Sequence, residues 1–181
     1  MRVITGSARG RKLKALEGMD TRPTTDKVKE SIFNIVQFDV EGRNVLDLFA
    51  GTGQMGIEAL SRGAARCTFV DLRKDAAAIC KENVSHCGFD GAAEVRQGDY
   101  LAYLSACREK FDLVFLDPPY AAGLLEKALE TIAKIDIMST NGIIICESPI
   151  EHTLPELPAP YEKGKEYRYG KIKITLYSRK A

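Results

Sequence analysis

Apolar residues recur along this chain with two different spacings. Short apolar runs at 44–49, 67–71, 93–97, 111–117 and 142–148 are mostly continuous rather than alternating, as expected of strands buried on both faces. Between them, the stretches 54–62, 74–87, 100–108 and 123–135 carry apolar residues at helical spacing; in the last, Leu125, Ala128, Leu129, Ile132 and Ala133 share one face. This repetition of strand, turn and helix predicts parallel strands joined by crossover helices, a doubly wound α/β sheet. Beyond Pro155, Pro158 and Pro160 the pattern changes: 162–169 and 171–178 flank Tyr169-Gly170, and Lys171-Ile172-Lys173-Ile174-Thr175-Leu176 alternates strictly. An antiparallel hairpin should close the sheet there. Ahead of the first strand, Val28, Ile32, Ile35 and Val36 follow the N-cap candidates Thr24, Thr25 and Asp26, which predicts an amphipathic helix of about three turns. Before that, Arg2 to Lys14, broken by Gly6 and Gly10, reads as a short hairpin or arm.

A chain of 181 residues fits one domain, here a basic N-terminal extension over 1–40 and an α/β core over 41–181. No apolar run approaches the ~20 residues needed to span a bilayer, and Met1-Arg2-Val3 does not begin a signal peptide. A cytoplasmic protein without a membrane partner is expected. The five cysteines are scattered and include no C-x-x-C pair, so they read as buried thiols rather than a disulfide framework or zinc site. His86 and His152 have no neighbours of a triad and read as surface residues; no metal is expected. The net charge of +1 hides an uneven distribution: residues 1–36 carry +4, residues 161–181 carry +5, and the middle carries −8. Basic edges around an acidic centre suit a polyanion gripped at the rim.

In open α/β sheets ligands bind beyond the carboxyl ends of the strands. Those ends are acidic here: Asp47, Asp71 and Asp117 lie at or near strand ends and Asp99 follows one. Gly51-Thr52-Gly53-Gln54-Met55-Gly56 matches G-x-G-x-x-G between the first strand and its helix, and Asp71 stands twenty residues beyond Gly51, placed for a ribose diol. This spacing suits a nicotinamide dinucleotide and S-adenosylmethionine alike. Asp47 favours the second, because a carboxylate at the mouth of the loop repels a pyrophosphate but suits an ammonium group and a sulfonium. Asp99, preceded by Gly98, is placed to accept from an adenine amino group. Asp117-Pro118-Pro119-Tyr120 ends the fourth strand rigidly, since neither proline offers an N–H and each fixes its φ. Its carboxylate, a backbone carbonyl and an aromatic ring could hold a flat group bearing an NH₂.

Asp47-Leu48-Phe49-Ala50-Gly51-Thr52-Gly53 together with Asp117-Pro118-Pro119-Tyr120 resembles a class I S-adenosylmethionine-dependent methyltransferase acting on an amino nitrogen. The run Arg9-Gly10-Arg11-Lys12-Leu13, with Thr21-Arg22-Pro23-Thr24-Thr25-Asp26-Lys27-Val28-Lys29-Glu30 and Phe33-Asn34, resembles one branch, the RsmD family of small-subunit rRNA guanine-N2 methyltransferases. The resemblance covers almost the whole chain. It implies a Rossmann-like, mostly parallel seven-stranded sheet of order 3-2-1-4-5-7-6, S-adenosylmethionine as cofactor, and methylation of a guanine of 16S rRNA in the assembling small subunit, by a monomer. Asp117, Pro118, Pro119 and Tyr120 would then hold the base. The cofactor would meet Asp47, Phe49, Gly51, Thr52, Gly53, Asp71, Leu72, Gly98, Asp99, Tyr100 and Asp117. Arg2, Arg9, Arg11, Lys12 and Arg22 are the candidates for RNA phosphates. Thr24, Thr25 and Lys27 either close over the site or simply cap the first helix. Three other readings stay open: an adenine-N6 methyltransferase on DNA or RNA, which shares the four-residue motif; a nicotinamide-dependent oxidoreductase; and a noncatalytic RNA-binding protein. Against the DNA enzyme stands size, since little chain remains for a module that reads a duplex.

Overall fold

The computed structural model describes residues 1–17, 25–120 and 123–181. The elements run α1 (Asp26–Ile35), β1 (Asn44–Asp47), α2 (Gln54–Ser61), β2 (Arg66–Asp71), α3 (Lys74–His86), a single 3₁₀ turn, β3 (Ala93–Gln97), α4 (Tyr100–Ala106), β4 (Phe111–Leu116), α5 (Leu124–Ile135), β5 (Met138–Pro149), β6 (Tyr161–Tyr169) and β7 (Ile172–Arg179). The sheet has seven strands in the order β3-β2-β1-β4-β5-β7-β6, as the resemblance implies. The first five are parallel, and β7 runs antiparallel to both β5 and β6.

Alternation along each strand divides the core in two. Val45, Leu113, Phe115 and Ile145 face α1, α2 and α3, whereas Leu46, Val114, Leu116, Ile144 and Cys146 face α4 and α5. Strands apolar on both faces must lie inside the sheet. The outer β6 is instead rich in charge, from Glu162 through Arg168, which protects an unpaired edge from pairing with another chain. Strand order reverses between β1 and β4, so the crevice expected of such a sheet opens at the carboxyl ends of these two strands. Their register pairs Asp47 with Phe115, which carries Asp117 two residues farther out than Asp47.

The N-terminal arm is a hairpin. Arg2 and Lys12 form an antiparallel bridge, and Val3, Ala8 and Leu13 enter the core. It lies along α2, where Ile4 and Thr5 donate their N–H groups to Glu58 at 2.7 and 3.2 Å, and Ala8 donates to the Ser61 hydroxyl at 3.0 Å. Contact is close enough at Gly6 that a Cβ would sit 1.8 Å from the Ser61 carbonyl oxygen, and Gly6 has φ +94° besides.

Boundaries differ from those read off the sequence for local reasons. The first helix buries Lys29, Ile32 and Phe33, followed by Val36, so its inner face is turned about one position from the one that Val28, Ile32 and Ile35 suggest. A lysine at the centre of that face hides the true stripe. The first strand ends at Asp47 rather than 49, and the 100–108 helix stops at Ala106. The fifth strand begins four residues early, at Met138; its register with β4 shifts between Phe111 and Leu113, and Asn141 takes φ +66° there.

Candidate active site

Gly51 and Gly53 have φ of +57° and +92°, so the chain can turn from β1 into α2 within a few residues. The third glycine of the fingerprint serves packing: a Cβ on Gly56 would lie 2.3 Å from the Phe69 ring. A Cβ on Gly51 or Gly98 would meet nothing within 4 Å, so those backbones border open space, as a ligand cradle requires. No acidic residue occupies the first turn of α2, and no side chain caps it.

Three carboxylates frame this loop. Asp71 holds it in shape, with Oδ2 accepting from Gly51 N–H at 2.8 Å and Oδ1 from Arg73 N–H at 2.9 Å. A carboxylate has lone pairs for about four bonds, so both oxygens can still accept from a diol. Asp47 lies deeper, only 4% exposed, and its Oδ2 accepts from Gly56 N–H at 3.0 Å. Burial pushes its carboxyl up to about 7, opposed by that N–H and reinforced by the charge of Asp71. Asp99 is exposed and caps α4, accepting from Ala102 N–H at 3.0 Å through Oδ2. The turn between them is fixed by Gly98 N–H on the Asp71 carbonyl and by the Gln97 side chain on the Leu72 carbonyl. Leu72 leaves an apolar side chain 66% exposed beside Asp71, and the rings of Phe49 and Tyr100 stand 5.0 Å apart at the same mouth. A backbone cradle, acidic groups and an apolar flank suit a nucleoside with a cationic tail better than a pyrophosphate.

Next to this mouth, across the switch point, stands Asp117-Pro118-Pro119-Tyr120. Asp117 is half-buried, Pro118 buried, and the Tyr120 ring 62% exposed, available to stack on a flat partner. Pro118, Pro119 and Tyr120 line a cleft of about 160 Å³ with Leu125, Glu147, Ser148, Pro149 and His152. His152 is therefore no plain surface residue, because it lines this cleft and its Nε2 meets Glu126 Oε1. A larger depression of about 480 Å³, among Gly6, Gln37, Glu41 and Arg62, lies by the opposite ends of the strands and plays no part in this arrangement.

The arm reaches the site through a residue that the sequence does not advertise. Asn83, buried on α3, accepts from Lys14 N–H at 2.8 Å, donates back to the Lys14 carbonyl at 3.1 Å, and donates to the Thr52 carbonyl in the glycine loop at 2.9 Å. A lone asparagine in a helical pattern carries no local signal of such a clamp. Of the candidate phosphate contacts, Arg2, Arg9, Arg11 and Lys12 are all exposed. Arg2 pairs with Asp26 at 3.2 Å and Arg11 donates to the His86 carbonyl. Arg22 and Thr24 fall outside the described residues. Thr25 does cap α1, accepting from Val28 N–H at 3.3 Å. In the basic C-terminus, Lys163, Lys173, Arg179 and Lys180 are each ion-paired to a carboxylate of the chain, while Lys165, Arg168 and Lys171 are exposed. Four cysteines are buried and Cys107 partly so, all as free thiols.

Residues 1–178 match the family model described as Conserved hypothetical protein 95. The Bacillus subtilis (strain 168) protein YlbH is 40% identical over 99% of this chain and 100% of its own. Ribosomal RNA small subunit methyltransferase D of Escherichia coli (strain K12) is 33% identical over 100% of this chain and 91% of its own. Among solved structures, the Escherichia coli protein yhhF superposes with a TM-score of 0.90 at 34% identity, covering 100% of this chain and 98% of that one.

Proposed function

We infer the function from a plain premise: the chain belongs to the Conserved hypothetical protein 95 family, the RsmD family that its motifs resemble. It is an S-adenosylmethionine-dependent methyltransferase that methylates the exocyclic N2 of one guanine in 16S rRNA. The observation that carries this reading is the meeting, at one switch point, of an acid-framed glycine loop on β1 with Asp117-Pro118-Pro119-Tyr120 on β4. The relative named for the small subunit supports the choice of RNA. One chain supplies both halves of the site, which supports action as a monomer; the assembling small subunit in the cytoplasm is the proposed setting. Among the described residues, no helix is long and apolar enough to cross a membrane, and no cluster of His, Cys, Asp and Glu could hold a metal.

S-adenosylmethionine, when bound, supplies a methyl group on an electron-poor sulfonium. The chain must supply the nucleophile, and a guanine amine is a poor one because its lone pair is delocalised into the ring. Hydrogen bonds from the NH₂ to the Asp117 carboxylate and the Pro118 carbonyl favour a pyramidal nitrogen, while Tyr120 stacks on the base. The nitrogen lone pair so oriented would form the new N–C bond with the methyl carbon, and the electrons of the C–S bond would stay with sulfur. Asp117 offsets the positive charge that grows on nitrogen and takes the released proton on to solvent. Holding both partners in line provides most of the acceleration. A guanine within a helix has first to be flipped out, at a few kcal/mol.

The test offers labelled S-adenosylmethionine with small subunits, naked rRNA and DNA, and identifies the product nucleoside by mass spectrometry. N2-methylguanosine in small-subunit RNA is expected. N6-methyladenosine, or label in DNA, would sink the assignment. Asp117→Ala should lower kcat by about 10²-fold or more, well beyond any loss of S-adenosylmethionine affinity.

A further inference from the structure

Asp117-Pro118-Pro119-Tyr120 can hold the amino group of adenine as well as that of guanine, so some other group must choose. The two bases differ next to that amine: guanine N2 is flanked by N1–H, a donor, and adenine N6 by N1, an acceptor. The simplest discriminator is therefore an acceptor that cannot donate, a carboxylate, set beside the amine-binding group.

The sheet provides one. β4 and β5 pair Leu113 with Ile143, Phe115 with Ile145 and Leu116 with Cys146, and one further step of that register sets Asp117 beside Glu147. Neighbouring strands are about 4.8 Å apart. Phe115 and Ile145 both lie on the α1, α2 and α3 face, so Asp117 and Glu147, each two residues on, share it. Glu147 also lines the cleft with Pro118, Pro119 and Tyr120. Its backbone is held, because β5 outlasts β4 and continues to pair with β7, Glu147 opposite Ile174 and Ser148 opposite Lys173. Along the pairing edge of guanine the groups run N2–H₂, N1–H, O6, that is, donor, donor, acceptor. Asp117 with the Pro118 carbonyl, then Glu147, offer acceptors to the first two of these in matching order.

We propose that Glu147 is the base-selecting residue: its carboxylate accepts from guanine N1–H while Asp117 and Pro118 hold N2. The proposal rests on methyl transfer to guanine N2. Adenine would turn the N1 lone pair against the carboxylate.

The test replaces the target guanine, once mapped, by 2-aminopurine in a ligated 16S rRNA reconstituted into small subunits. This base keeps the 2-amino group, but its N1 is an acceptor and it has no O6. The wild-type enzyme should prefer guanine by about 10³-fold or more in kcat/KM, since a site built for a donor rejects the analogue that lacks it. Glu147→Gln can donate its amide to N1, and should narrow that preference at least tenfold by gaining activity on 2-aminopurine as well as losing it on guanine. Glu147→Ala, which can do neither, should narrow it chiefly by loss on guanine, with a smaller gain on 2-aminopurine from relief of the lone-pair repulsion. S-adenosylmethionine binding, followed in parallel, reports that each variant is folded. A wild-type enzyme indifferent to the two bases, or variants that keep the wild-type ratio, would overturn the proposal while the methylation reading stands. Failure of the wild type to methylate guanine at all would overturn that reading too.

Discussion

Asp47 sits where a carboxylate is least comfortable, 4% exposed, with one backbone N–H to hold its charge and Asp71 nearby to oppose it. Burial raises its folded pKa to about 7, well above an ordinary carboxylate. In the free protein the native state therefore binds a proton that the unfolded chain gives up between about pH 4 and 7. The sign follows: this group's contribution to stability is complete below pH 4, is lost as pH rises through that window, and is gone above 7, at up to about 1.4 kcal/mol per pH unit. A bound ammonium reverses the preference, since it needs the ionised form. Affinity for S-adenosylmethionine should thus fall up to tenfold per pH unit below about 7. Titration calorimetry from pH 5.5 to 8 on wild type and Asp47→Asn checks this, because the variant should bind weakly with that pH dependence flattened. An undiminished pH slope in the variant would assign it to another group.

Among the elements, the joint between arm, α1 and α2 depends on charges that no periodicity reveals. Lys29 and Glu58 are both fully buried with Nζ and Oε1 3.6 Å apart; Lys29 also donates to the Arg2 carbonyl at 2.7 Å, and Arg62 approaches Glu58 at 3.4 Å while stacking over Phe33. Burial lowers the Lys29 pKa, and the charges of Glu58 and, less, of Asp26 oppose that shift. Glu58→Gln should cost about 3–5 kcal/mol in urea unfolding, because it strands a buried cation. Lys29→Met combined with Glu58→Gln should cost less than Glu58→Gln alone, since the glutamine carbonyl can still accept from Ile4 or Thr5 and no charge is left unpaired. If the double variant were the less stable, the ion pair would not be the reason. This joint also marks the limit of what the sequence reveals. Strands such as 67–71 and 111–117 are legible because continuous apolar runs demand burial on both faces, and the glycine loop because its spacing fits one turn. Lys29, Glu58 and Asn83 look like ordinary polar helix positions; their partners lie 29, 53 or 54, and 31 or 69 residues away, and only the folded chain brings them together. Glu147 was hidden likewise, since its place one step beyond the pairing of Leu116 with Cys146, beside Asp117, follows from strand order.

At the scale of the whole molecule, each basic end holds some of its cations in ion pairs and leaves others exposed. Lys163, Lys173, Arg179 and Lys180 are held by carboxylates of the C-terminal hairpin and of Asp136, whereas Lys165, Arg168 and Lys171 are exposed. Arg9 and Lys12 are exposed on the arm and make no ion pair among the described residues. The arm is tied to the glycine loop through Asn83, so a polyanion gripped there lies on the side of the molecule where the cofactor is expected. Each cation that neutralises a phosphate releases about one counterion and adds nearly one unit to the slope of log K against log salt. Arg9→Gln together with Lys12→Gln should therefore reduce that slope for small-subunit RNA by about two and weaken binding for every sequence tested, with S-adenosylmethionine affinity unchanged. Lys163→Gln should change the slope little, because Lys163 is held against Glu166 at 3.6 Å, a carboxylate it shares with Lys173. Filter binding between 50 and 300 mM KCl measures both. A slope that responds to Lys163 rather than to Arg9 and Lys12 would move the RNA to the other end of the sheet, and with it the direction from which the flipped base must enter.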